Sequence, residues 1–292
     1  MDDTWLLCNG DEISASEFPE LAEIFPKFPI NFDTKTLWEK PSASTSIYTS
    51  PYTINFIKYI NGYWVAGGSR DRGTSDDTTE AIIAYTKDLS EAWTIKTVWW
   101  NYGSYNSVYC LEYADGYWVA GGTIAEGLDE EEGLGGHSFA HARYTTDLEN
   151  GSWTNISPWT GTPWYNHNRI TCITYNNGYW VLGGSYYSSG TSYGRLAHTK
   201  DITSKSWVIK DLWSAGTNNY SGDTAITGIK YANRYWVAVG KTANDDYNRT
   251  WAEYAYTTDL EGTWTKKSLL DYNGTLHTIK YINNYWIAVG HR

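Results

Sequence analysis

One fifteen-residue alternation of apolar and polar positions recurs five times along the chain. The copies are INFIKYINGYWVAGG from Ile54, VYCLEYADGYWVAGG from Val108, ITCITYNNGYWVLGG from Ile170, ITGIKYANRYWVAVG from Ile226 and LHTIKYINNYWIAVG from Leu276. Period-two patterning rich in Val, Ile, Tyr, Trp and Thr marks half-buried strands. Each copy is split by a pair that tolerates positive φ: Asn61-Gly62, Asp115-Gly116, Asn177-Gly178, Asn233-Arg234 and Asn283-Asn284. Each therefore predicts two short strands joined by a tight type I′ turn.

A second pattern follows four of the hairpins: AYTKDLSEAWTIK around Asp88, RYTTDLENGSWTN around Asp147, AHTKDITSKSWVI around Asp201 and AYTTDLEGTWTKK around Asp259. It predicts strand, Asp-initiated turn, strand, with the Asp oxygen bonding nearby backbone N–H groups. The fifth hairpin runs to the end of the chain and lacks this partner, while NFDTKTLWEK near the start sets Asp33 and Trp38 at the spacing of Asp88 and Trp93. Hairpin plus Asp turn is a four-stranded unit, and the repeats start 54, 62, 56 and 50 residues apart. That is the pattern of an all-β, five-bladed β-propeller. Its blades are expected at 54–100, 108–160, 170–213, 226–270 and 276–290, the last completed in circular closure by residues 28–45, so that 28–292 is one domain.

The Asp turn resembles the Asp-box of sialidases and many other propellers, [ST]-x-D-x-G-x-x-W, through Thr86, Asp88 and Trp93 and through Thr257, Asp259 and Trp264; the central Gly is absent from both. The resemblance implies fold and no chemistry. Residues 1–27 stand outside the repeat, and TWLLCNGDEISASEFPELAEIFP reads as a strand Trp5 to Cys8, a turn at Asn9-Gly10 and an amphipathic helix opened by Ser14 or Ser16. Trp5, Leu6, Cys8, Asn9, Gly10, Phe18, Pro19 and Leu21 are similar to the start of the bacteriophage tail-collar domain. That resemblance implies a virion tail or fibre protein, with other tail proteins and further copies of the chain as partners.

Composition narrows the function. No run approaches the ~20 apolar residues of a membrane helix, and the N-terminus lacks the basic start and apolar run of a signal peptide. With 33 Asp+Glu against 22 Lys+Arg and no clustered basic face, nucleic acid is not an expected partner. Three scattered Cys, at 8, 110 and 172, make no disulfide framework. Aromatic residues are abundant: 17 Trp and 26 Tyr. Ten of the Trp fill two repeat slots, Trp64 and Trp38 with their counterparts, and are assigned to packing. The surplus concentrates in the segments that the topology sends to one face of the disc, opposite the two-residue and Asp turns.

That surplus defines the expected ligand-binding residues: Trp99, Trp100, Tyr102, Trp159, Trp164, Tyr165, Tyr186, Tyr187, Trp213, Tyr220, Tyr247 and Tyr272. Interleaved Asn and Asp suit a sugar, whose C–H face lies on a ring while its hydroxyls take paired donors and acceptors. Trp99, Trp159 and Trp213, each six residues after an Asp-turn Trp, have a competing role as a structural column.

Catalytic chemistry is less well provided. A sialidase needs an arginine cluster, for which Arg70, Arg72, Arg169, Arg195 and Arg249 are available but occupy no common slot. Five-bladed glycosidases place carboxylates on the innermost strands. The corresponding column here, Lys58, Glu112, Thr174, Lys230 and Lys280, holds one acid where sugar hydrolysis uses two. Asp129–Glu132 reads as a solvated loop, and His137 with His141 as a weak metal pair, so neither metal nor cofactor is expected. The expectation from sequence is non-catalytic binding of a cell-surface glycan by a phage tail protein. A glycan-degrading enzyme of the same fold, or a structural tail component, are the alternatives.

Overall fold

The computed structural model describes residue 37 and residues 53–72, 78–103, 105–125, 138–159, 168–204, 206–215, 224–243, 250–269 and 274–291. Eighteen strands and no helix occupy the described residues. Four antiparallel meanders are complete: β1 (Thr53–Ile60), β2 (Tyr63–Asp71), β3 (Thr79–Thr86) and β4 (Thr94–Trp100); β5 (Ser107–Ala114), β6 (Tyr117–Ala125), β7 (Ser138–Thr145) and β8 (Thr154–Asn155); β9 (Arg169–Asn176), β10 (Tyr179–Ser188), β11 (Thr191–Thr199) and β12 (Val208–Ala215); β13 (Ala225–Ala232), β14 (Tyr235–Ala243), β15 (Thr250–Thr257) and β16 (Thr265–Ser268). A two-stranded sheet, β17 (Thr275–Ile282) with β18 (Tyr285–His291), follows. This is the all-β propeller expected from the repeats, with the five hairpins in their expected places.

Turn chemistry is as the sequence demands. All ten central residues of the five hairpin turns have positive φ, including Arg234 (65°) and Asn284 (67°) where the other copies have Gly. A side chain with Cβ pays for this conformation, so Arg234→Gly is expected to raise unfolding stability by about 0.5 kcal/mol after the extra chain entropy of Gly is deducted. A midpoint in urea that falls rather than rises would contradict this. Each Asp turn is held twice. The hydroxyl of Thr86, Thr145, Thr199 or Thr257 accepts from the Asp N–H and donates to the Asp carbonyl, and the carboxylate accepts from the N–H two residues on, at Ser90, Glu149, Thr203 or Glu261.

Blades pack face to face. Val65, Ala81, Ile83 and Tyr85 meet Val108, Leu111, Trp118 and Ala120 of the second blade, and Val181, Leu196 and Leu212 of the third meet Ile226, Ile229 and Trp236 of the fourth. The Leu or Ile after the turn Asp reaches back to the preceding blade: Leu148, Ile202 and Leu260 are buried. Only the last residue of each repeat is Gly in every copy. At Gly122 and Gly240 the bulged inner strand brings the Ser107 or Ala225 carbonyl against the Cα, so that a Cβ would collide with backbone.

Along the inner strands one slot is buried in four blades, at Val108, Ile170, Ile226 and Leu276, whereas its first-blade member Ile54 is 55% exposed, as is Ile57 where Leu111 is buried. Val108 and Leu111 pack on the first blade, so the matching face of the first blade is the one turned away from the second. Residues 28–45, which the repeat pattern assigns to complete that blade, and the strand–helix reading of residues 1–27 lie outside the described residues.

Candidate functional site

In each of the four complete meanders the sheet topology puts the first and third turns at one end of the strands, and the second turn and the inter-blade connections at the other. The aromatic residues assigned to the second end divide by burial. Trp99, Trp159 and Trp213 are buried, so their expected ligand contact gives way to packing. Each seals its blade to the next: Trp99 donates its Nε1–H to the Thr123 carbonyl at 2.7 Å, and Trp213 lies where a Cβ on Gly240 would stand. Tyr187 is also buried, its N–H donating to Asn168 Oδ1.

The segment 185–194, which carries Tyr186 and Tyr187, is a strand pair closed by Ser189-Gly190, both at positive φ. Tyr186 and Tyr187 therefore sit on β10, where alternation sends one inward and one outward. Trp164, Tyr165, Tyr220, Tyr247 and Tyr272 lie outside the described residues. Trp100 and Tyr102 are exposed, at 41% and 50%, and meet edge to face with centroids 5.7 Å apart.

Beside this aromatic corner stands a charged cluster that single-residue reasoning did not assemble. Arg70 Nη2 lies 2.7 Å from Glu80 Oε2, Arg72 Nε 3.3 Å from Glu80 Oε1, and the Thr97 hydroxyl donates to Oε2 at 2.9 Å. The Arg72 guanidinium stacks on the Trp100 ring at 3.6 Å. Strand register explains the meeting, because Arg70 is paired across to Glu80 and Glu80 to Trp100. In the third blade Arg195 forms a two-point bond with Asp211, at 2.7 and 2.9 Å, and stacks on Tyr186 at 3.4 Å. Burial works against the Arg195 charge, but the Asp211 bond and charge outweigh it and hold the guanidinium above its ordinary pKa.

The centre of the disc is polar and small. Lys58 Nζ is 3.4 Å from Glu112 Oε2, and Thr171 and Thr227 donate to the Ile226 and Leu276 carbonyls of the following blade. Cys110 and Cys172 are free thiols, pushed up in pKa by burial, Cys172 to about 12, so neither is a nucleophile. No group of three or more His, Cys, Asp or Glu suited to a metal occurs among the described residues. His137 and Asp129–Glu132 lie outside them, and His141 is committed to Arg143 and Ser157. Of the carboxylates described at the loop end, Glu80 and Asp211 are each neutralised by arginine.

No helix among the described residues is long and apolar enough to cross a membrane. No protein-family model matches the chain, and no curated protein matches it. Among solved structures, the chain is similar to a thermostable family-43 glycoside hydrolase at 7% identity and TM-score 0.49, with 77% of each chain covered. It is also similar to an exo-1,5-α-L-arabinanase from a bovine ruminal metagenomic library, at 11% identity and TM-score 0.43, covering 80% of this chain and 85% of that one. A third is a Cellvibrio cellulosa α-L-arabinanase, at 9% identity and TM-score 0.46, covering 80% and 84%. At these identities the likeness is one of fold. Against the expectation of a non-catalytic propeller that only binds glycan, these three solved structures are a glycoside hydrolase and two arabinanases, and that expectation is corrected on this finding.

Proposed function

We propose that the chain is a glycan-processing enzyme, a glycoside hydrolase in reaction class, whose substrate lies across the loop end of the disc. The observation that carries this reading is the exposed right-angled corner of Trp100 and Tyr102. Its rings offer the apolar plane a pyranose or furanose needs, beside a fixed array of hydrogen-bonding side chains. Hydrolysis requires an ionised carboxylate and a protonated one a few ångströms apart. In sequence, carboxyl residues Asp76 and Asp77 fall between β2 and β3, Asp129–Glu132 between β6 and β7, and Asp245 and Asp246 between β14 and β15. The tail-collar-like residues 5–21 support a place on a phage virion, where cleaving a cell-surface glycan would clear a path to the host.

The test is release of new reducing ends from a panel of polysaccharides. Trp100→Ala with Tyr102→Ala is expected to lower kcat/KM about tenfold or more on the active substrate. Replacing one essential loop carboxylate by its amide should remove activity and leave binding. A panel without any reducing-end release, or turnover indifferent to both rings, would overturn the reading.

A further inference from the structure

Arg70 and Glu80 sit in slots that the next three blades fill without charge. The Arg70 slot holds Ile124, Tyr186 and Thr242 in the next three blades, and the Glu80 slot holds Phe139, Tyr193 and Trp251. All these strands keep the same pairing, so the scaffold does not need an Arg–Glu–Arg cluster there. Among the described side chains that meet Glu80, two are guanidinium groups converging on its one carboxylate, and its second hydrogen-bonded partner, Thr97, is neutral. Each guanidinium carries five N–H donors, and Glu80 takes one polar atom from each. Arg70 and Arg72 keep over a quarter of their side-chain surface accessible. Trp100 holds the plane of Arg72 from below, at 3.6 Å, which fixes its fork at little entropic cost.

We propose that this corner selects glycans bearing carboxylate groups, such as uronate-containing chains, with the acid on the Arg70–Arg72 pair and an adjoining ring face on Trp100 or Tyr102. Planar two-point recognition of a carboxylate is what a pre-oriented guanidinium does best. Glu80 serves as the resident counter-charge, holding the two cations together and open when no acidic sugar is present. The chain carries a net charge of −11, so a local positive site is needed before such a polymer can approach at all. This inference rests on the proposed action on glycans.

The experiment measures binding of oligogalacturonate and of the matching neutral galacto-oligosaccharide by calorimetry, with the same pair offered as substrates. The acidic chain is expected to bind at least tenfold more tightly. Arg72→Gln should remove most of that preference while leaving the neutral chain within twofold, and Glu80→Gln should sharpen it, because both cations then lack their counter-charge. Far-UV circular dichroism and the thermal midpoint establish that each variant is folded. Equal affinity for the two chains, or a preference unchanged in Arg72→Gln, overturns the acidic selectivity and leaves the glycan reading standing. If neither chain binds or is cleaved, the selectivity is overturned, and extending that failure to the whole polysaccharide panel removes the glycan reading itself.

Discussion

Replacing Asn106 by Ala is expected to lower the unfolding free energy by about 4 kcal/mol, a large share of a typical domain's stability. The side chain is fully buried just before β5. Its Oδ1 accepts from the N–H of Asn101 and of Ala125, each at 3.1 Å, and its Nδ2 donates to the carbonyls of Thr79, Asn101 and Gly103 at 3.0, 2.7 and 3.0 Å. One amide thus closes the turn after β4, the start of β3 and the end of β6. Truncation takes a partner from two N–H groups and from the Thr79 and Asn101 carbonyls in a site closed to water, each costing about 1–3 kcal/mol unless the loop relaxes, while the Gly103 carbonyl keeps the Thr79 N–H.

Asp in its place keeps the acceptor, loses the donors and buries a charge, so Asn106→Asp should cost as much as Ala. The same slot elsewhere provides the control. Asn168 Oδ1 accepts from Tyr187 N–H, but its buried Nδ2 has no partner among the described residues, and in the next blade Thr224 does the corresponding work on Ala243 with a hydroxyl. Asn168→Thr should therefore change stability by less than about 1 kcal/mol. Urea titration followed by Trp fluorescence decides it. A loss below 1 kcal/mol for Asn106→Ala, or equal losses at 106 and 168, would sink the account.

The contrast between these asparagines shows what the sequence does and does not disclose. Repeat slots were legible because each is a local demand written several times over: positive φ at Asn61-Gly62 and its counterparts, an Asp-held turn, alternate residues facing a neighbouring blade. The candidate site was less legible for the opposite reason. Trp99 and Trp100 are adjacent in sequence, yet strand alternation buries the first between blades and exposes the second. Composition alone treats them alike.

The Arg70–Glu80–Arg72 cluster depends on register across three strands, which no single window contains. A slot-by-slot comparison of blades was the available signal. Charged residues stood where Ile124, Phe139, Tyr193 and Trp251 stand in other copies. Tyr186 and Tyr187 lie on a strand and not in a loop because Ser189-Gly190, both at positive φ, closes a two-residue hairpin turn.

Acidification is expected to weaken the fold through His141, by about 3 kcal/mol between pH 7 and pH 4. His141 is buried on β7 between the first two blades, edge-on to Trp99 at 5.0 Å. Arg143 Nε donates to its Nε2 at 3.1 Å, so Nδ1 carries the proton and donates to the Ser157 hydroxyl, also at 3.1 Å, which in turn donates to Asn155. The ring is satisfied only when neutral. Burial, and secondarily the Arg143 charge, lower its pKa from 6.5 to about 3. In the unfolded chain the imidazole takes a proton below about pH 6.5, while the folded one refuses it until about pH 3. Stability from this group is therefore complete above pH 6.5 and drains away as pH falls toward 3.

His198, also lowered mainly by burial, adds in the same direction. His141→Gln keeps an acceptor for Arg143 and removes the titration. It should cost some stability at pH 7, yet its unfolding free energy should fall about 3 kcal/mol less than the wild type's on going to pH 4. The Asp-turn carboxylates titrate alike in both proteins and cancel from the difference. Parallel pH profiles for the two would show that His141 accepts its proton in the folded state and that the buried network tolerates an imidazolium.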